Sequence, residues 1–324
     1  MSLIPKIVVL GGGTGLSVLL RGLKAFAVDI TAIVTVADDG GSSGRLRQAY
    51  DMPPPGDVRN VLAALSEVEP LVEQLFQHRF TIGEGITGHS MGNLLLAAMH
   101  DITGDFVMGI QELSKVLNVR GKVLPAANKS VVLHAEFEDG SVVTGESKIP
   151  LHDKKIKKVF LTPTHIEPLQ ASIHAIEEAD LIVVGPGSLY TSIIPNLLVT
   201  GIKEALYASS APKVYVCNAM TQLGETNHYT ASDHVQALID HAGQGIIDTV
   251  IVNNEPISEE SIALYKEEGA EPVVCDLERL NGLGYEVISE NIIHYGTLIR
   301  HNAKRVSELL ISCCLKGKAP LKDE

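Results

Sequence analysis

Apolar positions along the chain follow two spacings, that of short buried strands and that of amphipathic helices. Short apolar runs recur at Lys6–Leu10, Ile30–Val36, Leu181–Val184, Lys213–Cys217 and Thr249–Val252. The segments between them carry apolar residues every three to four positions, the spacing of a helix that packs on a sheet. This alternation predicts an α/β fold, a Rossmann-like, doubly wound parallel sheet in three layers.

Two regions depart from this alternation. Residues 57–117 have helical spacing throughout, and we expect them to form a helical cap inserted on the sheet core. Residues 130–148 contain two alternating runs on either side of Glu138-Asp139-Gly140-Ser141, which predicts a β-hairpin insertion. We therefore expect residues 1–324 to form a single large domain that carries both insertions.

Composition and charge exclude several classes of protein. The 324 residues include 26 Lys and Arg against 39 Asp and Glu, a net charge of −13. Such a surface repels polyanions, so we expect no nucleic-acid partner and no insertion into a membrane. The four cysteines lack the spacing of a zinc site, and no signal peptide or membrane-spanning run is recognisable. A cytoplasmic protein is the expectation.

The first strand runs into a glycine-rich loop, Gly11-Gly12-Gly13-Thr14-Gly15. It departs from the dinucleotide pattern G-x-G-x-x-G because its third glycine comes one position early. Glycines at this place still let a phosphate approach the backbone and the free N–H groups of the next helix. Thr14 either adds a hydroxyl donor or caps that helix, and a purely structural tight turn is the alternative.

The second strand is followed by Asp38-Asp39-Gly40-Gly41-Ser42. The two carboxylates could hold a ribose hydroxyl or Mg²⁺, and the alternative is an ordinary Asp-Gly turn. Asp57 is either the N-cap of the next helix or a ligand-binding residue. Arg59 stands in the first turn of that helix, where a cation opposes the helix dipole, so a nearby anion would explain it.

Gly88-His89-Ser90-Met91-Gly92 matches the G-x-S-x-G pattern of a nucleophile elbow, which makes Ser90 a candidate serine-hydrolase nucleophile. An elbow needs a buried strand before it, whereas this approach contains two glycines and a glutamate. We therefore favour His89, Ser90 and Asn93 as groups at a helix start that face a ligand. Capping alone is the third alternative.

Two further strands end in loops of the same character. One runs into Gly185–Ser192, which contains Gly187, Ser188 and Tyr190, and the other into a loop with Asn218 and Thr221. The carboxyl ends of parallel strands lie along one edge of a sheet, where ligands bind at the switch point. Four loops rich in glycines, hydroxyls and amides at one edge therefore predict a ligand site.

Six segments together are similar to a known family. They are Gly11–Ser17, Val36–Arg45, Pro55–Asn60, Gly88–Asn93, Gly185–Ser192 and Cys217–Gln222. They resemble the gluconeogenesis-factor (YvcK) family, within a superfamily shared with 2-phospho-L-lactate transferase. The resemblance extends from Gly11 to about Arg300 and implies a cytoplasmic bacterial protein with a Rossmann-like fold. It also implies a role in cell shape and peptidoglycan wall synthesis during growth on gluconeogenic carbon sources.

The resemblance further implies a ligand, a UDP-sugar such as UDP-N-acetylglucosamine, and a homo-oligomer. Tyr295–His301 resembles the segment whose arginine is tied to UDP-sugar binding, which makes Arg300 the candidate. Some relatives are phosphorylated on a threonine just beyond it, but Asn302-Ala303-Lys304 offers no hydroxyl here. The candidate binding residues are Gly12, Gly13, Thr14, Gly15, Asp38, Asp39, Ser42, Arg59, His89, Asn93, Gly187, Ser188, Tyr190, Asn218, Thr221 and Arg300.

Two functions follow from this set, and no catalytic residue is assigned. The first is a regulatory protein that binds a nucleotide sugar. The second is a transferase that uses a nucleotide-activated donor, with Mg²⁺ at Asp38 and Asp39, as the transferase relatives imply. Serine hydrolysis at Ser90 is a remote third function.

Overall fold

The computed structural model describes residues 4–68, 70–267, 269–296 and 299–317. Its strands are β1 Lys6–Gly11, β2 Asp29–Val34, β3 Lys122–Pro125, β4 Val132–Phe137, β5 Val142–Thr144, β6 Ile156–Thr162, β7 Leu181–Val184, β8 Lys213–Val216, β9 Thr249–Asn253, β10 Glu286–Glu290, β11 Ile293–His294 and β12 Arg300–His301. Its helices are α1 Gly13–Leu23, α2 Gly41–Tyr50, α3 Gly56–Leu65, α4 Pro70–Gln77, α5 Met91–Thr103, α6 Phe106–Val116, α7 Gln170–Glu177, α8 Ile194–Leu197, α9 Ile202–Ala208, α10 Ala231–Ala242, α11 Glu259–Glu267, α12 Leu277–Gly282 and α13 Ala303–Gly317.

The core of the molecule is a seven-stranded parallel sheet in the order β10-β9-β8-β7-β1-β2-β3. The chain builds outward from β1 to β3 on one side and from β7 to β10 on the other. The order therefore reverses between β1 and β7, which is the switch point of a doubly wound sheet. The predicted α/β, Rossmann-like fold is confirmed.

Helices cover both faces of this sheet and enclose two hydrophobic cores. Alternate residues of β1 separate the cores, since Val8 packs on one side and Ile7 on the other. The Val8 side is covered by α7 to α10 and by the small antiparallel sheet, the Ile7 side by α1, α3, α5, α6 and α13. These are the three predicted layers.

Residues 57–117, predicted as a helical insertion, lie in the connection between β2 and β3. The first helix of this segment, α3, packs against α1 and contributes Val58, Val61 and Leu62 to the core on that face. It is thus part of the helix layer, and α5 and α6 also contribute side chains, such as Leu96 and Ile110, to the core on that face.

The predicted hairpin within residues 130–148 is present as β4 and β5, which pair antiparallel. A third strand, β6, pairs with the other side of β4, so the small sheet has the order β5-β4-β6. Leu133, Ala135 and Phe137 of β4 are buried in the core, while the alternate positions are less buried. The lysines of residues 154–158 lie on or beside the outer strand β6 and pair with acidic side chains of the hairpin.

No helix within the described ranges combines the length and the hydropathy that crossing a bilayer requires.

Candidate functional site

The loops after β8, β7, β1 and β2 lie side by side, because these four strands are neighbours in the sheet. Two cavities open among them. The larger, about 450 Å³, spans the switch point between β1 and β7. The smaller, about 230 Å³, lies between the start of α2 and the start of α3. A third cavity of about 550 Å³ is at the opposite edge of the sheet, remote from these loops.

The larger cavity collects most of the predicted binding residues. It is lined by Gly12, Gly13, Thr14, Gly15, Gly187, Ser188, Asn218, Thr221 and Arg300. Sequence reasoning did not single out the other side chains that line it, among them Val18, Met220, Gln222, Tyr265 and His301. Glycines and small polar residues form one wall, and Met220, Tyr265 and Ile299 give the other an apolar character.

Helix α1 begins at this cavity without a side-chain cap. Its N-cap is Gly12, which lies in extended backbone, so the alternative that Thr14 caps the helix is wrong. A Cβ at Gly12 would collide with Asp57 and Thr35, while Gly13 has a φ of +66° that favours glycine. Asp57 accepts from the Gly13 N–H, so the N–H groups of Thr14 and Gly15 are those left to a ligand in a cavity at the positive end of the helix dipole, an arrangement suited to a phosphate.

The loops after β7 and β8 are joined to each other by side-chain hydrogen bonds. The Asn218 amide donates to the Gly187 carbonyl at 2.9 Å and accepts from the Gly187 N–H at 3.4 Å. The Gln222 amide donates to the Ser188 hydroxyl at 2.8 Å. Thr221 is held by paired bonds to the backbone of Glu271. These contacts fix the cavity wall opposite α1.

Tyr190 is not brought to either cavity. Its side chain is 2% exposed, and its hydroxyl is hydrogen bonded to the hydroxyl of Tyr229 at 2.8 Å. Burial raises the pKa of Tyr190 far above its usual value. Tyr190 therefore belongs to the core beneath the loop rather than to a ligand site.

The smaller cavity gathers a second group of predicted residues, Asp38, Ser42, Arg59 and Asn93, and His89 lies directly behind it. Ser42 accepts from the Asn93 amide at 3.1 Å, and its hydroxyl is 2.8 Å from Nδ1 of His89. Burial and the nearby arginines Arg45 and Arg79 lower the pKa of His89, which favours its neutral form.

Ser90 has none of the surroundings of a nucleophile. It is fully buried and is the N-cap of α5, where its hydroxyl accepts from the Asn93 N–H. Arg59 Nη1 also donates to this hydroxyl, at 2.7 Å. The residues before it form turns rather than a buried strand. The serine-hydrolase interpretation therefore has no structural basis, because the elbow geometry and a general base are both missing from Ser90's described contacts.

Asp38 and Asp39 point to different parts of the molecule. Asp38 Oδ1 accepts from the Gly40 N–H at 2.8 Å, and its other oxygen lies against Gly56. Asp39 Oδ1 accepts from the Ser147 N–H at 2.9 Å, on the side of the antiparallel sheet. Within the described ranges no three or more His, Cys, Asp or Glu side chains converge as metal ligands. The two neighbouring carboxylates therefore do not fit a shared Mg²⁺ site.

Asp57 lies between the two cavities and is not an N-cap, since α3 begins at Gly56 after Pro55. Its carboxylate accepts from the Gly13 N–H, and burial together with Asp38 raises its pKa to about 7. Burial also raises the pKa of Glu225 to about 7 and that of Glu146 to about 8, the latter helped by Asp38 and Asp57. Three carboxyl groups in and around the site are therefore partly protonated near neutral pH, and of these only Asp57 lines a cavity.

Sequence reasoning left Glu146, Arg79 and Glu225 out of the site. Arg79 and Glu146 are far from the glycine-rich loops along the chain and carry no local motif. Glu225 follows the fourth loop, but its burial under Thr191 depends on how the loops pack. Gln222 belongs to Cys217–Gln222, one of the six segments that resemble a known family, and that resemblance could have identified it as a cavity residue.

Comparisons with known proteins identify the family of this chain. The family model described as 2-phospho-L-lactate transferase CofD matches residues 7–293. The chain is 64% identical over 308 residues to a protein named gluconeogenesis factor of Bacillus subtilis, covering 95% of this chain and 97% of that protein. It is 46% identical over 309 residues to the gluconeogenesis factor of Listeria monocytogenes, covering 95% of each.

A solved structure has the same fold. The crystal structure of a UPF0052 family member from Bacillus halodurans superposes with a TM-score of 0.94 at 63% identity, covering 96% of this chain and all of that one. The family match over most of the chain, the relatives and the shared fold agree with one another. The chain belongs to the CofD family, whose model is that of 2-phospho-L-lactate transferase, and is similar throughout to the gluconeogenesis factors.

Proposed function

We propose that this chain is a cytoplasmic regulatory protein that binds a nucleotide sugar, a UDP-sugar, in the larger cavity. The observation that carries the proposal is the cavity at the switch point, where the uncapped start of α1 faces the loops of β7 and β8. Backbone N–H groups and one glycine-rich turn suit a diphosphate, and the more apolar wall suits a base or sugar.

Arg300 supplies the cation that the backbone amides lack. It lies on β12 at the rim of the cavity, and its side chain is exposed. A guanidinium at this place can form two parallel hydrogen bonds with a phosphate. We propose that Arg300 clamps the diphosphate of the ligand after it enters the cavity.

The cellular role that we propose rests on the name of the gluconeogenesis factors and on the resemblance of this chain to them. The protein would act in cell shape and wall synthesis during growth on gluconeogenic carbon sources, as a homo-oligomer without nucleic-acid or membrane partners. A strain that lacks the gene and carries the Arg300→Glu protein should fail to recover normal shape on such a carbon source. Recovery equal to that with the wild-type gene would contradict the role of the bound ligand.

Calorimetry with UDP-N-acetylglucosamine tests the binding itself. The wild-type protein should bind, and Arg300→Glu should lower the affinity at least tenfold because it replaces a phosphate contact by a repulsive charge. Arg279→Glu is the matched control, since Arg279 is also exposed but pairs with Asp233 on another part of the molecule. Absence of binding by the wild-type protein would end the proposal.

A second candidate function is transfer from a nucleotide-activated donor, which the CofD family match supports. The observation in its favour is that Asp57 separates the two cavities and faces Asp38. Release of a nucleoside phosphate from an activated donor, assayed with added Mg²⁺, should then be lost in Asp57→Asn and Asp38→Asn. Asp39→Asn should retain it, because Asp39 faces Ser147 instead. Release that survives all three substitutions would exclude this chemistry at the site.

A further inference from the structure

The arginines of this acidic chain divide into two groups. Arg21, Arg120, Arg279 and Arg305 each pair with a carboxylate within 4 Å. Within the described ranges the other five form no such ion pair: Arg45, Arg47, Arg59, Arg79 and Arg300. Arg300 lines the larger cavity and Arg59 and Arg79 line the smaller one, whereas Arg45 and Arg47 lie on α2 and donate to the backbone carbonyls of Thr87, Asp38 and Val131.

Arg59 is the most unusual of them because it is buried. Its side chain lines the smaller cavity and the residue is only 8% exposed. It donates to the Ser90 hydroxyl and to the Asn60 side-chain oxygen, both at 2.7 Å and both uncharged, while its Nε has no hydrogen-bond partner. Asp38 and Asp57 act on Arg59 at longer range, but neither forms an ion pair with it within 4 Å, so an anion in the cavity would complete its surroundings.

A second buried group also lacks a partner here. Asn93 is 1% exposed and lines the same cavity, and the side-chain oxygen of its amide accepts no hydrogen bond from the described residues. This oxygen is an acceptor, so it requires a donor on the ligand, such as the hydroxyl of a protonated phosphate or of an organic remainder, and does not itself bind the anionic oxygens. Helix α2, ten residues long, begins at the cavity with no side-chain cap at Gly40. The N–H groups of Gly41, Ser42 and Ser43 are therefore the free donors of an α-helix N-terminus.

Two carboxylates share the cavity and reduce its positive charge without cancelling it. Asp38 Oδ1 is occupied by the Gly40 N–H, and Asp57 accepts from the Gly13 N–H in the wall toward the larger cavity. The pKa of Asp57 is raised to about 7 by burial and by Asp38, so it carries only part of a charge near neutral pH. The guanidinium groups of Arg59 and Arg79 together carry two full charges.

We propose that the smaller cavity is an oxyanion subsite that takes a phosphate or carboxylate group, held by Arg59, Arg79 and the first N–H groups of α2. Its volume of about 230 Å³ suits one such group with a small organic remainder rather than a whole nucleotide. The subsite goes beyond the proposed nucleotide-sugar function, because its donors are separate from those of the larger cavity. Asp57 and Gly12 form the wall between them.

A calorimetric titration with inorganic phosphate tests the subsite without a nucleotide. Wild-type protein should bind phosphate saturably, and Arg79→Gln should weaken the affinity about tenfold or more through loss of one charged contact. Arg79 is exposed, so this variant should fold even if the buried Arg59→Met does not. Arg279→Gln is the control and should bind like the wild type. No saturable binding, or equal binding by Arg79→Gln and the control, would overturn the proposal.

Repeating the titration with saturating UDP-N-acetylglucosamine separates two sources of the anion. Undiminished phosphate binding would assign the subsite to a separate small metabolite. Displacement of phosphate, together with weaker nucleotide-sugar binding by Arg79→Gln, would assign it to an anionic group of the nucleotide ligand. If the nucleotide sugar does not bind at all, the phosphate titration still decides the subsite by itself.

Discussion

Glu225 shows how a single buried carboxyl group can make the stability of this protein depend on pH. It is 6% exposed, and its oxygens accept from the Thr191 hydroxyl at 3.0 Å and the Tyr190 N–H at 3.3 Å. Burial outweighs these bonds and raises its pKa to about 7. In an unfolded chain the pKa of a glutamate is about 4.3.

Unfolding should therefore release a proton from Glu225 between about pH 4 and pH 7, so stability should fall as the pH rises through that window. The slope for one proton is about 1.4 kcal/mol per pH unit. Glu225→Gln should remove this contribution, and urea unfolding at several pH values would measure it. The exposed Glu167→Gln is the control and should keep the wild-type slope. Parallel curves for wild type and Glu225→Gln would contradict the assignment.

Individual residues also show where sequence reasoning succeeds. The glycines of the first loop, the hydroxyl of Ser42 and the Arg59 side chain lie at cavities, as local chemistry indicated. The positions of Asp57 and Tyr190 were harder to predict, because a carboxylate near a helix start and a tyrosine in a polar loop can each have several surroundings in a folded protein. Which one applies depends on packing against distant segments, the Gly13 N–H for Asp57 and Tyr229 for Tyr190.

At the scale of elements, central strands were predictable and edge strands were not. Strands β1, β7, β8 and β9 are buried on both faces and read as continuous apolar runs. The outer strands β3 and β10 were missed, since β3 has four residues and β10 has only two apolar residues, Val287 and Ile288, between polar ones at the sheet edge. Helix α2 was not predicted, because its glycines and serines are poor helix formers held in place by tertiary contacts.

The packing of α13 on α1 gives a prediction at this scale. A Cβ on Gly22 of α1 would collide with the Ala303 carbonyl group and the Ser307 hydroxyl of α13. Gly22→Ala should therefore push the two helices apart and destabilise the protein by about 1–3 kcal/mol, although alanine favours the helix itself. The same displacement should weaken nucleotide-sugar binding, because Arg300 immediately precedes α13.

Gly282→Ala is a matched control for this substitution. Gly282 likewise lies in the last turn of a helix, α12, and nothing lies within 4 Å of where its Cβ would be. This variant should be as stable as the wild type or slightly more stable. Thermal unfolding of both variants measures the difference, and equal stability of Gly22→Ala and wild type would show that the helices tolerate the added methyl group.

At the scale of the whole molecule, the net charge of −13 and a site for anions are compatible because the positive charge is local. Arginines that pair with carboxylates contribute little net field, whereas Arg59, Arg79 and Arg300 form no ion pair within 4 Å and line the two cavities at one edge of the sheet. A small anion therefore meets arginines and helix N-termini at short range. A polyanion would have to cover the surrounding acidic surface as well, and long-range repulsion opposes that.

A nucleotide in the larger cavity should join the two halves of the doubly wound sheet, since it would contact the loop of β1 from one half and those of β7 and β8 from the other. Addition of UDP-N-acetylglucosamine should then slow hydrogen exchange at residues 12–15, 187–188 and 218–222 together, relative to the free protein. At a ligand concentration 100 times the Kd, linkage adds about 2.7 kcal/mol to the free energy of unfolding.

The opposite edge of the sheet provides the internal control for this experiment. The cavity there is lined by residues such as Thr31, Ser114 and His174, and local protection should not change at those positions. At the same ligand concentration Arg300→Glu should reduce the protection at all three loops by the same factor, about tenfold or more, because one bound molecule is responsible for all of it. Protection confined to the loop of β1 would place the ligand on one half of the sheet only and contradict a site that spans the switch point.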